Sequence, residues 1–548
     1  MDPAAWKVNR AISVIDNYYV DTINKNKLAD EAIIALLQKL DPHSGYLTPE
    51  EVKEMNEPLK GNFDGIGIQF NMLTDTLYVI QVIPGGPSEK VGIVAGDRII
   101  QVNDTAIAGV GMKNTDVMSR LRGQKGTTVQ VKVMRGSNPN LITFKIVRDK
   151  IPIYSLDASY MLDKVTGYIK LNRFAETTYD EFIKALRELQ AQGMKNLVLD
   201  LQDNGGGYLN SAIEIANEFL KRGNLIVYTE GVHQRREDAH ATMKGSFEDG
   251  KLIVLINESS ASASEIVTGA LQDWDRSVVV GRRSFGKGLV QRPIPFPDGS
   301  MIKLTTARYY TPTGRSIQKP YENGDSDSYN MEVIQRYNRG EMLSADSIHF
   351  PDSLKYYTLV NKRVVYGGGG IMPDYFVPID TSRYTDMHRS LIASGVVNKF
   401  VMNYIDKNRT NLQDQYKNFA SYQSHFNVND AMLKDLLELF KKEDFEMIGR
   451  NTASTSEEEF VVPEDLDTKI SIVDSKNKRR TSAKLTAADM QQFEKSKSLI
   501  KLQIKALIAR DLWNMSEYYQ IINDENDALK KAIEIIENSK EYDKLLGK

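Results

Sequence analysis

Apolar residues fall at helical spacing near both ends of the chain and at strand spacing through its middle. Val8, Ile12, Ile15 and Tyr19, then Ala29, Ile33, Leu36, Leu37 and Leu40, recur at helical intervals, which predicts two opening helices. Asp41-Pro42-His43 stops the second, and Thr48-Pro49-Glu50-Glu51 has the composition of a cap on a third. From 61 to about 148, strand-like pieces at 66–70, 77–83, 98–102 and 128–133 alternate with glycine and proline turns. From 151 to about 380, strands at 167–171, 196–201, 225–228, 252–256 and 278–280 alternate with helical patterns at 177–192, 212–219 and 265–274. Such alternation predicts a mostly parallel sheet with ligands at the carboxyl ends of its strands. Residues 320–352 are polar and read as an insertion. Past 380 the pattern is helical at 391–405, 431–442 and 497–538, with a Ser/Thr/Glu-rich linker at 451–459. The expected fold class is multidomain α+β. Its divisions are a helical region at 1–60, a β-rich domain at 61–150, an α/β core at 151–380 and a helical accessory domain at 381–548.

Composition narrows the function classes. A chain of 548 residues is too long for one core, in keeping with several domains. Its net charge of −3 offers no general surface for nucleic acid, so no such partner is expected. No apolar run approaches the ~20 residues of a membrane span. Met1-Asp2-Pro3-Ala4-Ala5 leads straight into an amphipathic helix, and an export segment is expected to have been removed. The absence of cysteine excludes disulfides, thiolate metal sites and a cysteine nucleophile. No metal or other cofactor is expected.

The stretch 252–291 carries the candidate chemistry: strand, small polar turn, helix, strand and a lysine between glycines. Serine hydroxyls on a strand-to-helix turn lie near free backbone N–H groups and the positive end of a helix, where an oxyanion is stabilised. Ser259, Ser260, Ser262 and Ser264 share this turn, and residue chemistry alone does not choose among them. Histidine is the usual partner of a nucleophilic serine. None of the six (His43, His233, His240, His349, His388, His425) falls at a predicted strand end beside the turn. Lys287 does, with Gly286 and Gly288 on either side and Phe285 and Leu289 available as dry walls. A lysine is a base only when neutral, so its ordinary pKa of ~10.4 must fall by roughly three, which burial can do. Serine–lysine pairs are an established variant of the nucleophile–base arrangement. In an extended 287–291 segment, Lys287 and Gln291 would share a face, and the Gln291 amide oxygen could fix the lysine rotamer. Gly205-Gly206-Gly207 ends another strand, which points to one shared site. Gly281 to Lys287 also matches the GxxxxGK of a phosphate-binding loop. Gly288 stands where Ser or Thr should hold magnesium, however, and two prolines follow in place of a helix, which sets a nucleotide site aside.

Gly65-Ile66-Gly67-Ile68, with Ile83-Pro84-Gly85-Gly86-Pro87-Ser88 and Gly96-Asp97-Arg98-Ile99-Ile100-Gln101-Val102-Asn103, resembles a PDZ domain. The resemblance implies that backbone N–H groups of Gly65, Ile66, Gly67 and Ile68 hold the terminal carboxylate of a peptide that extends the sheet edge. Residues from about 30 to 380 resemble the carboxyl-terminal processing peptidases, or tail-specific proteases. The motifs are Asp41-Pro42-His43-Ser44-Gly45-Tyr46-Leu47, Gly167-Tyr168-Ile169-Lys170-Leu171 and Asp200-Leu201-Gln202-Asp203-Asn204-Gly205-Gly206-Gly207. They continue through Ser260-Ala261-Ser262-Ala263-Ser264-Glu265, Phe285-Gly286-Lys287-Gly288 and Thr306-Ala307-Arg308-Tyr309-Tyr310-Thr311-Pro312. The resemblance implies an α/β serine-peptidase core with an inserted PDZ domain of β-sandwich or barrel-like form. It implies Ser262 as nucleophile, Lys287 as general base 25 residues on, and Gln291 as third member. The implied oxyanion donors are the amides of Ala263 and Gly206. It also implies an acyl-enzyme, a protein or peptide substrate with a free C-terminus, and a periplasmic or cell-envelope location. A homo-oligomer through the helical termini and an adaptor protein are the other partners expected. The chain departs from the family at Gln202, where arginine is usual. The alternative is an inactive scaffold whose PDZ domain alone binds peptide, and the intact Ser262, Lys287 and Gln291 weigh against it.

Overall fold

In a computed structural model the chain is described at residues 2–73, 75–136, 138–445, 447 and 481–548. The expected linker at 451–459 lies outside the described residues. The chain forms two compact units: one of Met1–Gly61, Tyr154–Pro378 and Ala528–Lys548, the other of Asn62–Ile153 and Ile379–Asp527. The last helices, Asp527–Glu537 and Ser539–Leu545, thus stand almost wholly with the first unit and apart from the helices the sequence grouped them with.

The first unit is built on a six-stranded sheet, in the order Leu156–Met161, Thr166–Leu171, Asn196–Asp200, Leu252–Ile256, Val278–Gly281, Tyr375–Phe376. The first pairing is antiparallel and the other four are parallel. Parallel neighbours need crossovers, and the helices Thr178–Ala191 and Ala263–Asp273 supply two of them. Every residue of Leu252–Ile256 is buried, which is why that strand reads as a continuous apolar run, and every residue of Ala263–Asp273 is buried too, its polar Ser264, Glu265, Thr268, Gln272 and Asp273 included. The core is an aliphatic and aromatic cluster that includes Leu199, Val254, Ile266, Phe182 and Phe219.

The expectation of one mostly parallel sheet needs correction, because this region holds a second sheet that is antiparallel throughout. Met301–Tyr310 pairs with Leu289–Pro295, Gly45–Leu47 and Leu225–Gly231, and the last of these also pairs with Gln234–His240. The strand expected at 225–228 in the parallel sheet runs over Leu225–Gly231 and belongs here. Antiparallel pairings therefore prevail among the described residues as a whole. The architecture matters for function at one edge. The chain leaves Asp200, Ile256 and Gly281, at the carboxyl ends of three adjacent parallel strands, in loops 201–208, 257–262 and 282–288.

The second unit contains a sheet in the order Ile68–Leu73, Thr76–Val82, Arg98–Val102, Thr128–Met134, Ile142–Val147, with Thr105–Ala106 beside Arg98–Val102. Ile68–Leu73 is an edge strand. Helix Asn114–Leu121 buries Val117 and Leu121 against this sheet's core. The same unit holds the helices Asp386–Ala393, Val396–Gln415, Phe419–His425, Asp430–Glu443, Ala487–Leu512 and Met515–Ile522, packed around Phe400, Leu436, Phe440 and Ile504. No helix among the described residues is long and apolar enough to cross a membrane.

Candidate active site

Ser262 is the N-cap of helix Ala263–Asp273 and has φ 56° and ψ −113°. A positive φ in a residue with a Cβ is strained, and such strain persists only where the surroundings impose it. The serines that the sequence left equivalent are separated by their surroundings. Ser260 and Ser264 are fully buried, and their hydroxyls donate to the carbonyls of Leu201 (2.8 Å) and Asn204 (2.8 Å). Ser259 is exposed, and Ser262 is half-buried at the strained turn. Ala263 is the first helical residue, a position whose amide N–H has no acceptor within the helix.

The glycine loop packs directly on this turn. Asn204, buried, accepts the Ala261 amide on its carbonyl (3.0 Å) and donates from its side chain to Leu171 O (2.9 Å). A Cβ on Gly206, at φ +100°, would lie 2.7 Å from Ser262 Cβ, 2.7 Å from Ala261 O and 2.9 Å from Ala263 N. Only glycine fits such an approach. The Gly206 amide, expected as an oxyanion donor, donates here to Asn204 Oδ1 at 2.9 Å. The position supplies room.

One buried carboxylate joins the serine turn to the lysine loop. Glu265 Oε2 accepts the backbone amides of Ser262 (2.9 Å) and Lys287 (2.8 Å), while Oε1 accepts the Ser284 hydroxyl (2.5 Å) and the Gly286 amide (2.7 Å). Complete burial pushes its carboxyl up to about 7 against those four bonds. The buried Tyr309 hydroxyl bridges the same two residues from another side, on the carbonyls of Ser262 (3.1 Å) and Lys287. Sequence reasoning missed Glu265 and Tyr309 as parts of the site, although Glu265 sits three residues after Ser262, where a capping carboxylate belongs.

Lys287 has its pKa lowered to about 8, first by burial and next by the charge of Lys303, with Glu265 and Asp41 acting the other way. Gln291 lies on the strand that follows the lysine loop. Its strand, Leu289–Pro295, starts after Lys287, and the register slips between Val290 and Gln291, so alternation along one extended segment does not set the two side chains on one face. The Gln291 amide nitrogen donates to Leu289 O (3.0 Å) and lies 3.4 Å from Thr305 Oγ1. Thr305 in turn donates to Asp41 (2.8 Å), whose carboxylate also accepts the amides of His43 and Ser44 and the Ser44 hydroxyl. This turn carries His43, set aside in the sequence, into the field of Lys287. Burial, and then the lysine's charge, lower His43 to about 3, so it is neutral at ordinary pH.

The tail-binding candidates lie in the second unit. Gly65 pairs with Asp149 at the end of strand Asn62–Gly65. The carbonyls of Ile66 and Gly67 accept the amides of Ser88 (3.0 Å) and Ile83 (3.0 Å), and Gly67 has φ +77°. Ile66 is buried in the sheet's core, and Ile68 opens the edge strand. Among the described residues there is no group of three or more His, Asp or Glu able to hold a metal ion.

Comparison with known proteins matches residues 165–325 to peptidase family S41, 65–146 to the PDZ domain, and 387–462 and 459–514 to a family of unknown function. The chain is 38% identical over 305 residues to the carboxy-terminal-processing protease of Bartonella bacilliformis, covering 55% of this chain and 69% of that protein. It is 34% identical over 323 residues to the carboxy-terminal processing protease CtpB of Bacillus subtilis, covering 58% and 66%. The matched stretch therefore spans about two thirds of each relative's length. A solved photosystem II D1 C-terminal processing protease is 29% identical, with 58% of this chain and 91% of that one covered at a TM-score of 0.34. The chain belongs to peptidase family S41, the carboxy-terminal processing serine proteases, and carries a PDZ domain.

Proposed function

We propose that this peptidase cleaves proteins that present a free C-terminal tail, with Ser262 as nucleophile and Lys287 as general base. The observation that carries the reading is the Glu265 carboxylate, which accepts the amides of both residues and so fixes one relative to the other. A lysine brought to about 8 is neutral in a useful fraction of molecules near neutral pH. Neutral Lys287 Nζ takes the Ser262 Oγ proton as the oxygen attacks the peptide carbonyl. The Ala263 amide, unpaired at the helix start, receives the developing oxyanion. The lysinium returns its proton to the leaving amine, which frees the new C-terminal fragment. Water, deprotonated by the again neutral lysine, then attacks the Ser262 ester, and the lysinium returns that proton to Ser262 Oγ as the acid leaves. Gln291 is a positioning residue, acting through Thr305 and the Asp41 turn.

The PDZ domain takes the tail. Gly65–Ile68 offer backbone amides to the terminal carboxylate, and the edge strand Ile68–Leu73 offers its free side to the extended peptide. A periplasmic or envelope location accords with the bacterial relatives, and oligomerisation through the helical termini and an adaptor protein belong to the same reading. The test uses one unfolded protein with its natural carboxylate or a C-terminal amide. Ser262→Ala is expected to bind the carboxylate form and cleave neither. Cleavage by Ser262→Ala at the wild-type rate overturns the nucleophile, and equal binding of the amide form overturns the tail site.

A further inference from the structure

The polar insertion reaches the lysine loop. Its helix, Ser326–Asn338, starts one residue beyond the stretch matched to family S41. The Arg336 guanidinium, 2% exposed, donates to the carbonyls of Ser284 (3.0 Å) and Arg283 (2.7 Å). A planar fork on two successive carbonyls fixes their two peptide planes relative to each other. Tyr329 stands edge-on to Phe285 and to His43, with ring centroids 5.9 Å and 5.1 Å away, and its hydroxyl lies 3.0 Å from His43 Nε2. The Lys319 ammonium sits 4.0 Å from the rings of both Phe285 and Tyr329 and donates to Tyr329 O at 2.9 Å. Its backbone amide donates to Gly286 O at 2.9 Å. Loop 283–288 is therefore gripped by Glu265 and, independently, by side chains of the insertion helix.

We propose that the insertion helix is a positioning element for Lys287, with Arg336 and Tyr329 holding loop 283–288 in place and keeping water from the lysine. This rests on the reading of Lys287 as the base. Glu265 faces the lysine from the serine helix, Lys303 from the long antiparallel strand, and Asp41 and His43 from the N-terminal turn. Arg336→Met leaves all of these in place, and Tyr329→Phe keeps the ring on Phe285 and removes only the hydroxyl that His43 and Gln318 meet. Their effect is then hydration of a loosened loop, which favours the ammonium and raises the pKa at which Lys287 becomes a base.

The experiment measures kcat and KM on one tail-bearing peptide from pH 6.5 to 10, for wild type, Arg336→Met, Tyr329→Phe and Lys287→Ala. In Arg336→Met the acid limb of kcat moves up by about 1 in pH, so kcat falls about tenfold at pH 7 and recovers by about pH 10, with KM unchanged. Tyr329→Phe moves it in the same direction by less. A loss by one constant factor at every pH, or a wild-type profile in both variants, overturns the proposal. If Arg336→Met does not fold, Arg336→Lys, which keeps the charge and loses the fork on the two carbonyls, decides by the same shift of the limb. An active Lys287→Ala instead overturns the base assignment, whereas an inactive one with unmoved limbs in the other two overturns only this inference.

Discussion

Glu265→Gln keeps the shape of the side chain that joins Ser262 to Lys287 and replaces one acceptor oxygen with a donor. With the NH2 at the Oε2 position, it meets the amides of Ser262 and Lys287, two donors that cannot accept. With the side chain flipped, the NH2 meets the Gly286 amide and the Ser284 hydroxyl, and the hydroxyl can turn to accept. The flipped arrangement leaves one buried amide unpaired and is the cheaper, at ~1–3 kcal/mol. If that loss falls on the reacting arrangement, kcat drops about 5- to 150-fold. Glu265 also raises the pKa of Lys287, so the variant's acid limb moves down while its plateau falls. Steady-state cleavage of a tail-bearing peptide between pH 6 and 10, with thermal unfolding alongside, reads both effects. A wild-type plateau, or a defect confined to KM, would show that Glu265 does not hold the serine and the lysine in their reacting arrangement.

Two further outcomes follow from the same geometry. Burial lowers Lys287 from 10.5 to about 8, so between those values the unfolded chain holds a proton that the folded chain has released. Stability from this group rises with pH through that window and is missing below it. Lys287→Met is therefore expected to be more stable than wild type below pH 8, by up to about 3 kcal/mol, with the difference gone above about pH 10.5. Denaturant unfolding at pH 7 and pH 10.5 checks this, and a difference independent of pH would count against a depressed lysine. Gly206→Ala drives a Cβ to 2.7 Å from Ser262 Cβ at a φ of +100°. The displaced serine is expected to lose about 100-fold in kcat while tail binding is kept, and undiminished cleavage would show that the loop gives way.

Segments with one dominant pattern were legible in the sequence. Leu252–Ile256 is a continuous apolar run because it is buried on both sides, and the serine turn after it follows from chain order. Leu225–Gly231 has the same strand character, yet alternation does not encode a strand's partner, and it went to the wrong sheet. Ser262 could not be chosen among four serines by residue chemistry, since the difference lies in which hydroxyls are tied to Leu201 and Asn204. Glu265, His43 and Arg336 act on groups 3 to more than 200 positions away, through side-chain contacts that leave no periodic trace. Gln291 comes from the family resemblance, and alternation along 287–291 does not describe its surroundings, because the register shifts between Val290 and Gln291.

The pH dependence of kcat/KM for a short tail-bearing peptide, measured on wild type and Lys287→Ala, decides whether Lys287 is the base. The wild type is expected to show an acid limb centred near pH 8, and the variant no cleavage across the range. A limb below pH 7 that survives in Lys287→Ala would contradict that assignment and hand the base to another group.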